Sequence, residues 1–447
     1  MATFHDIYET VRRSEKKTLI RASGSTREGG GEKVRAGQSY LYKLRGMESE
    51  VIELRLREKV SGSFLNQALL SALPRYPYFN TRLIELDGDF YIVQNPQSMV
   101  ARRTRELARL GHVSCGGHLV DITYYDRSIF FSFHHALCDG RGVKPFIETL
   151  MYCYFRLKHG VTAVPANVRL AGEPLLPGET DDPFERRCDF DESRAFETVE
   201  RDGFALPENG PSESGTDYRY ELTVPRDAYM AACASCGATP VILLSLVMSR
   251  GIARLYPEWD KPITAHIAAD MREALDMPNT YKNCVHTPTL PYTRELAGKT
   301  AREQAAEFRR LLNLRRDRDY CRRQANGFIG LFDRLDERGS YEAKREMMGF
   351  FEGMGLNTYV VSYLGRFNFG DGAKYVSEAH LYNSGTSGLG INMLCAGERF
   401  TPDFKQSFPS DKYVLAFTAG LEELGVPYSA GERIPFTTPC GSIMARG

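Results

Sequence analysis

Ser128-Ile129-Phe130-Phe131-Ser132-Phe133-His134-His135-Ala136-Leu137-Cys138-Asp139-Gly140 is the stretch that decides how this chain of 447 residues is read. It opens as a strand, a β-rich run of Ile, Phe and Ser entered from the turn-like Asp126-Arg127-Ser128. Two adjacent histidines end the run, followed by an acid and a glycine. After Pro145, the residues Phe146, Ile147, Leu150, Met151 and Tyr154 repeat at helical spacing, so the histidines sit where a strand stops and a helix is about to begin. Successive strand side chains point to opposite faces, so one imidazole is expected to be structural and the other open to a cavity. A neutral imidazole at pH 7 takes a proton from a hydroxyl or an amine. Asp139 is placed to fix the loop or the ring, and Gly140 is expected to adopt a backbone angle closed to other residues. The plainer alternative is a hydrogen-bonded core histidine beside an exposed one. A metal site is not expected, because the two rings face opposite ways.

His134-His135-Ala136-Leu137-Cys138-Asp139-Gly140 fits HHxxxDG, and it resembles the signature of the chloramphenicol-acetyltransferase-like superfamily. That group includes bacterial alcohol acetyltransferases, plant acyltransferases and the condensation domains of peptide synthetases. The resemblance implies an α/β fold with mixed sheets, in two lobes with an active-site channel between them. It implies acyl transfer from a thioester to an alcohol or amine. The donor would be acyl-coenzyme A or, as in condensation domains, the phosphopantetheine thioester of a partner carrier protein. No tightly bound cofactor is implied. Carried over position by position, His135 becomes the general base and His134 a supporting residue, with Gly140 closing the motif. Asp139 becomes one half of a salt bridge that holds the loop. Its arginine is expected to be Arg272, because Ala268-Ala269-Asp270-Met271-Arg272 resembles the Asp-x-Arg of alcohol acetyltransferases. Ser362 is the expected oxyanion donor. Val361-Ser362-Tyr363-Leu364-Gly365 resembles a Ser-Asn-x-Gly element of bacterial members, with Tyr363 in place of Asn. Asn368-Phe369-Gly370-Asp371-Gly372 resembles the DFGWG of plant members at fewer positions and is read as a structural turn. No GxSxG elbow lies near the histidines, so no covalent enzyme intermediate is expected. A binding protein that keeps the fold without chemistry is the alternative of a different class.

Composition narrows the field. Lys+Arg and Asp+Glu number 57 each, and a nucleic-acid binder would carry a basic excess. No apolar run approaches a membrane span, and Met1-Ala2-Thr3-Phe4 opens no signal-peptide core, so a cytoplasmic protein is expected. The ten cysteines are scattered and read as reduced thiols; Cys233-Ala234-Ser235-Cys236 is a lone CxxC beside Gly237 at a helix end.

The remaining elements follow in order. A helix is expected over 5–18 and a mobile polar loop over 23–38. A strand at 51–56 precedes a helix at 63–73 capped by Ser61 or Ser63. Leu83–Leu86 and Asp89–Val93 flank Asp87-Gly88, a strong hairpin signal. Arg75 and Arg82 are expected in solvent. The N-terminal lobe is placed at 1–175, an interlobe linker with a short helix near 192–201 at 176–215, and the C-terminal lobe at 216–447. In that second lobe, strands are expected at 218–224, 263–269, 358–363, 374–382 and 389–394. Helices are expected at 226–234, 240–255, within 294–350, and at 410–424. The arginine-rich run 309–323 is read as a solvated face, with contact to coenzyme phosphates as the alternative.

Overall fold

A computed structural model describes residues 31–43, 48–196, 202–210, 216–354, 357–385 and 388–436. The first half carries strands β1 (Glu32–Lys33), β2 (Ser49–Leu56), β3 (Thr81–Leu86), β4 (Asp89–Gln94), β5 (Arg102–Arg103), β6 (Val120–Tyr125) and β7 (Ser128–His134). Its helices are α1 (Gly62–Ala72) and α2 (Gly140–His159). The second half begins with β8 (Asp217–Pro225), α3 (Arg226–Cys236) and α4 (Pro240–Leu255), followed by β9 (Ile263–Ile267), β10 (Ala269–Asp270), β11 (Val285–His286) and β12 (Thr289–Tyr292). Four helices come next, α5 (Arg294–Ala297), α6 (Ala301–Arg315), α7 (Arg318–Asp336) and α8 (Tyr341–Met354). The chain then returns to strands β13 (Tyr359–Arg366), β14 (Val376–Asn383), β15 (Leu389–Ala396) and β16 (Arg399–Gln406), the helix α9 (Lys412–Glu423) and the edge strand β17 (Ser429–Phe436).

Two mixed sheets organise the molecule. One has five strands in the order β14-β2-β7-β6-β5, and the other has seven in the order β12-β9-β13-β15-β16-β8-β17. The alternation of β2 turns Ile52, Leu54 and Leu56 into the first core, where α1 and α2 cover the five-stranded sheet. Helix α4 is apolar nearly all round, as a helix buried within a core must be, and fills the second core against β9, β13 and β15. Strand β14 belongs to the second half of the chain yet pairs antiparallel with β2, from Val376 opposite Leu56 to Asn383 opposite Glu50. The two halves are therefore laced together by backbone hydrogen bonds.

Local rules explain most boundaries. Ser61 accepts the Phe64 N–H and starts α1, Pro240 occupies the first turn of α4, and Asp87 and Gly88 both take positive φ (53° and 82°) in the β3–β4 turn. Several expectations are corrected. Helix α2 starts at Gly140 rather than after Pro145, because the Asp139 side chain caps it by accepting the Gly142 N–H at 2.7 Å. The described part of 23–38 is not a polar surface loop: β1 pairs with β4, and Val34 and Ala36 are buried in a third apolar cluster with Tyr42 and Phe90. Residues 192–196 form no helix, since Asp191 accepts the Ser193 N–H in a turn; positions 197–201, and the helix expected at 5–18, lie outside the described residues. Arg75 is 2 % exposed and pairs bidentately with Glu179 at 2.7 Å, so it is not solvated.

Candidate active site

The β6–β7 hairpin delivers the two histidines, and they diverge as the pleat requires. His134 ends β7 and turns inward, where its Nδ1 accepts the Ala136 N–H at 3.0 Å. Burial, with the neighbouring charges of His135 and Arg109, holds its pKa down at about 3, so the ring is neutral and structural. His135 faces a cavity of about 670 Å³ between the two halves, a size suited to a small-molecule site. Its Nδ1 lies 3.3 Å from the Cys138 carbonyl oxygen. A carbonyl can only accept, so Nδ1 carries the proton and Nε2 keeps its lone pair. The Tyr40 ring packs over the imidazole with centroids 4.6 Å apart. Burial and the charge of Lys43 hold the His135 pKa down at about 4, leaving it unprotonated at neutral pH.

Asp139 and Arg272 form a buried ion pair across the halves, 2.9 and 2.8 Å from the guanidinium nitrogens to the two carboxylate oxygens. Each group is otherwise saturated. Asp139 also accepts the Gly142 and Cys284 N–H groups, and Arg272 also donates to Asp270 and to the carbonyls of Thr280 and Lys282. A guanidinium fork suits such planar, bidentate recognition. Gly140 does not have positive φ, contrary to expectation; it is the first residue of α2. A Cβ there would stand 2.9 Å from Leu364 Cδ1, the end of a flexible side chain that can turn aside. Gly142 is tighter still, with a Cβ meeting the Tyr281 carbonyl oxygen at 1.8 Å.

His135, Asp139, Gly140, Arg272 and Ser362 all line this one cavity, and His134 does not. Ser362 lies on β13 opposite Asn392 of β15, and Tyr363 beside it also lines the cavity. None of Arg309, Arg310, Arg315, Arg316, Arg318, Arg322 and Arg323 does: Arg310 pairs with Glu307, Arg318 and Arg322 share Asp276, and Arg315 is buried against Tyr320. Phe369 caps a 3-10 turn at Gly370–Tyr375 and stacks on Phe367, a structural role. Cys233 and Cys236 are buried free thiols on the last turn of α3.

Sequence reasoning missed Glu50. It shares the inward face of β2 with Ile52, Leu54 and Leu56, and an acid at the end of an apolar row was the available signal. Its carboxylate stands 3.9 Å from His135 Nε2 and accepts the Asn383 amide N–H at 3.1 Å. Burial, reinforced by the charge of Asp139, pushes its pKa up to about 7.

A second polar cluster lies outside the cavity, where the two large sheets meet. Glu53, Glu221, Glu378 and Asp403 are interleaved there with Arg55, Arg219 and Arg399. His380 Nδ1 is 3.1 Å from both Asp403 oxygens. The acids are matched one for one only when His380 is protonated, and Asp403 and Glu378 hold its pKa up near 9 despite burial. Glu221, His380 and Asp403 offer ligand-type atoms within 4.8 Å of one another, but guanidinium groups already serve these carboxylates.

The sequence matches no family model and no curated protein. Solved structures do match, and what they share with this chain is the fold, the two-lobed chloramphenicol-acetyltransferase-like architecture. Polyketide synthase associated protein 5 from Mycobacterium tuberculosis superposes with a TM-score of 0.57 at 13% identity, over 87% of this chain and 97% of that one. The first condensation domain of the CDA synthetase gives 0.57 at 14%, over 90% and 96%. The TRI101 protein of F. sporotrichioides, solved with coenzyme A and T-2, gives 0.53 at 13%, over 90% and 99%. The sequence-level resemblance therefore holds for the fold. Among the described residues no single helix is long and apolar enough to cross a membrane.

Proposed function

We propose that this chain is an acyltransferase that moves an acyl group from a thioester to an alcohol or amine. The observation that carries the reading is the Nε2 lone pair of His135, open to a cavity built by both halves and set by a loop that the Asp139–Arg272 pair locks. In this reading the acceptor enters the cavity, His135 takes its proton as it attacks the thioester carbonyl, and the imidazolium returns the proton to the departing thiolate. Such a base contributes about 100- to 10,000-fold. Ser362 serves as the oxyanion donor from β13, and His134 supports the strand end. No covalent enzyme intermediate forms. The donor is an acyl-coenzyme A, in the manner of alcohol acetyltransferases, and a carrier-protein phosphopantetheine thioester is the alternative within the same chemistry. We keep the division into lobes 1–175 and 216–447 joined by 176–215, and a cytoplasmic location, as parts of the same proposal.

The test is thiol release from a panel of acyl-coenzyme A thioesters and, separately, from acyl-loaded carrier protein, with paired alcohols and amines. Wild type is expected to release thiol in an acceptor-dependent way, and His135→Ala to fall by about 100-fold or more. Equal rates for wild type and His135→Ala would overturn the assignment.

A further inference from the structure

Five carboxyl groups line the cavity, those of Glu50, Asp139, Glu148, Glu179 and Asp270. Four have a cationic partner: Asp139 and Asp270 have Arg272, Glu179 has Arg75, and Glu148 has Lys144 at 3.9 Å. Among the described residues Glu50 has no lysine or arginine in salt-bridge range, and its nearest basic atom is His135 Nε2 at 3.9 Å. It is nonetheless 7 % exposed and held in place. Asn383 Nδ2 donates to its Oε1, and Asn392 Nδ2 donates at 2.8 Å to Asn383 Oδ1, which fixes the orientation of the Asn383 amide. An ordered, buried carboxyl that no lysine or arginine among the described residues pairs, beside the base, can be neutral when the cavity is empty and can meet a cation that arrives.

We propose that Glu50 makes the acceptor an amine: it binds the incoming primary ammonium group beside His135 and takes the first of the two protons that the nitrogen must lose. This rests on the acyltransferase reading above. The geometry separates amines from alcohols. Glu50 Oε1 and His135 Nε2 are acceptors 3.9 Å apart, and one nitrogen with several N–H groups can donate to both. A hydroxyl has a single hydrogen: given to His135 Nε2, it leaves Glu50 Oε1 with only the Asn383 amide N–H and no cation. The proton count agrees. An ammonium ion first gives a proton to the Glu50 carboxylate, forming the neutral amine and the carboxylic acid. The amine nitrogen then attacks the thioester carbonyl, an N–C bond forms, and its second proton passes to His135 Nε2. Collapse breaks the C–S bond, the imidazolium protonates the thiolate, and Glu50 returns its proton to water. The products are an amide, a thiol and one released proton.

The groups around Glu50 are consistent with that cycle. Phe133 lies opposite it on β7 and Asn383 on β14, while Asp139 at the start of α2 adds negative charge. Tyr40 stays protonated, its phenol pushed far up by burial and by Glu50, and Lys43 sits over that ring at 4.4 Å. A carboxyl titrating near 7 is ionised often enough to receive a proton at neutral pH and to release it each turnover.

The experiment compares matched acceptors, butylamine with butanol and 2-phenylethylamine with 2-phenylethanol, in wild type, Glu50→Gln, Glu50→Asp and His135→Ala. Wild type is expected to favour each amine, and Glu50→Gln to lower the amine-to-alcohol ratio of kcat/KM by about 10- to 100-fold. Glu50→Asp, which keeps the charge, should restore part of the amine rate. Binding of butylammonium without donor, followed by calorimetry, should weaken more in Glu50→Gln, which loses the charge, than in His135→Ala, which loses one neutral acceptor. If Glu50→Gln slows amines and alcohols alike, or leaves both unchanged, the role of Glu50 is wrong while the acyltransferase reading stands. If no acceptor of either kind supports thiol release in wild type, the acyltransferase reading itself falls.

Discussion

Replacing Arg272 by Met tests how the histidine loop is held. The substitution removes two charge-assisted bonds to Asp139, one to Asp270, and two to the carbonyls of Thr280 and Lys282. Asp139, 2 % exposed, would keep only the N–H groups of Gly142 and Cys284. Breaking a buried pair from one side leaves an uncompensated charge, and the expected loss of folding stability is about 3–5 kcal/mol. Asp139→Asn removes the charge from the other side, so the double variant should be more stable than the sum of the single losses by about 1–3 kcal/mol. Urea unfolding followed by circular dichroism measures all four proteins. Thiol release should behave differently. It falls by about 100-fold in either single variant and does not recover in the double, because a shift of about 1 Å in the base suffices for such a loss. Additive stability losses, or a fully active Asp139→Asn, would refute the reasoning.

Two further outcomes follow from the same physics. Arg75→Ala orphans Glu179, which also accepts the Tyr78 hydroxyl and the Leu176 N–H, and should cost about 3–5 kcal/mol by the same urea assay while loosening the segment around 176–182 to proteolysis. His380 has a folded pKa of about 9 against 6.5 unfolded, so its stabilisation is fully present below pH 6.5 and lost as pH rises through about 9. The stability difference between wild type and His380→Gln should therefore shrink by about 3 kcal/mol between pH 6 and pH 10. A constant difference would show that this ring is neutral in the folded protein.

Much of the site could be read from residue order because the relevant rules are local. Alternation along β7 forces His134 and His135 apart, and the motif ends on Asp139, an N-cap residue type, so a strand, a turn and a helix start are all written within 13 contiguous positions. The Asp139–Arg272 pair was legible only through resemblance, since the residues are 133 positions apart. The location of Arg75 was misjudged for the same reason: a long cation next to prolines carries no mark of the Glu179 that meets it 104 residues later. Gly140 was expected for its backbone angle, whereas the position that needs a glycine is Gly142, where a Cβ would meet the Tyr281 backbone carbonyl of a distant segment.

Residue order by itself determined the strand ends, the caps and the apolar faces, because these depend on neighbours a few positions away. Tertiary structure alone decided that β14 crosses to the first sheet, that Glu50 stands beside His135 with no lysine or arginine among the described residues to pair it, and that His380 is matched to Asp403. The reason is physical: charge balance and hydrogen-bond saturation depend on which side chains share a few ångströms of low-dielectric space, and that neighbourhood is assembled from segments tens to hundreds of residues apart.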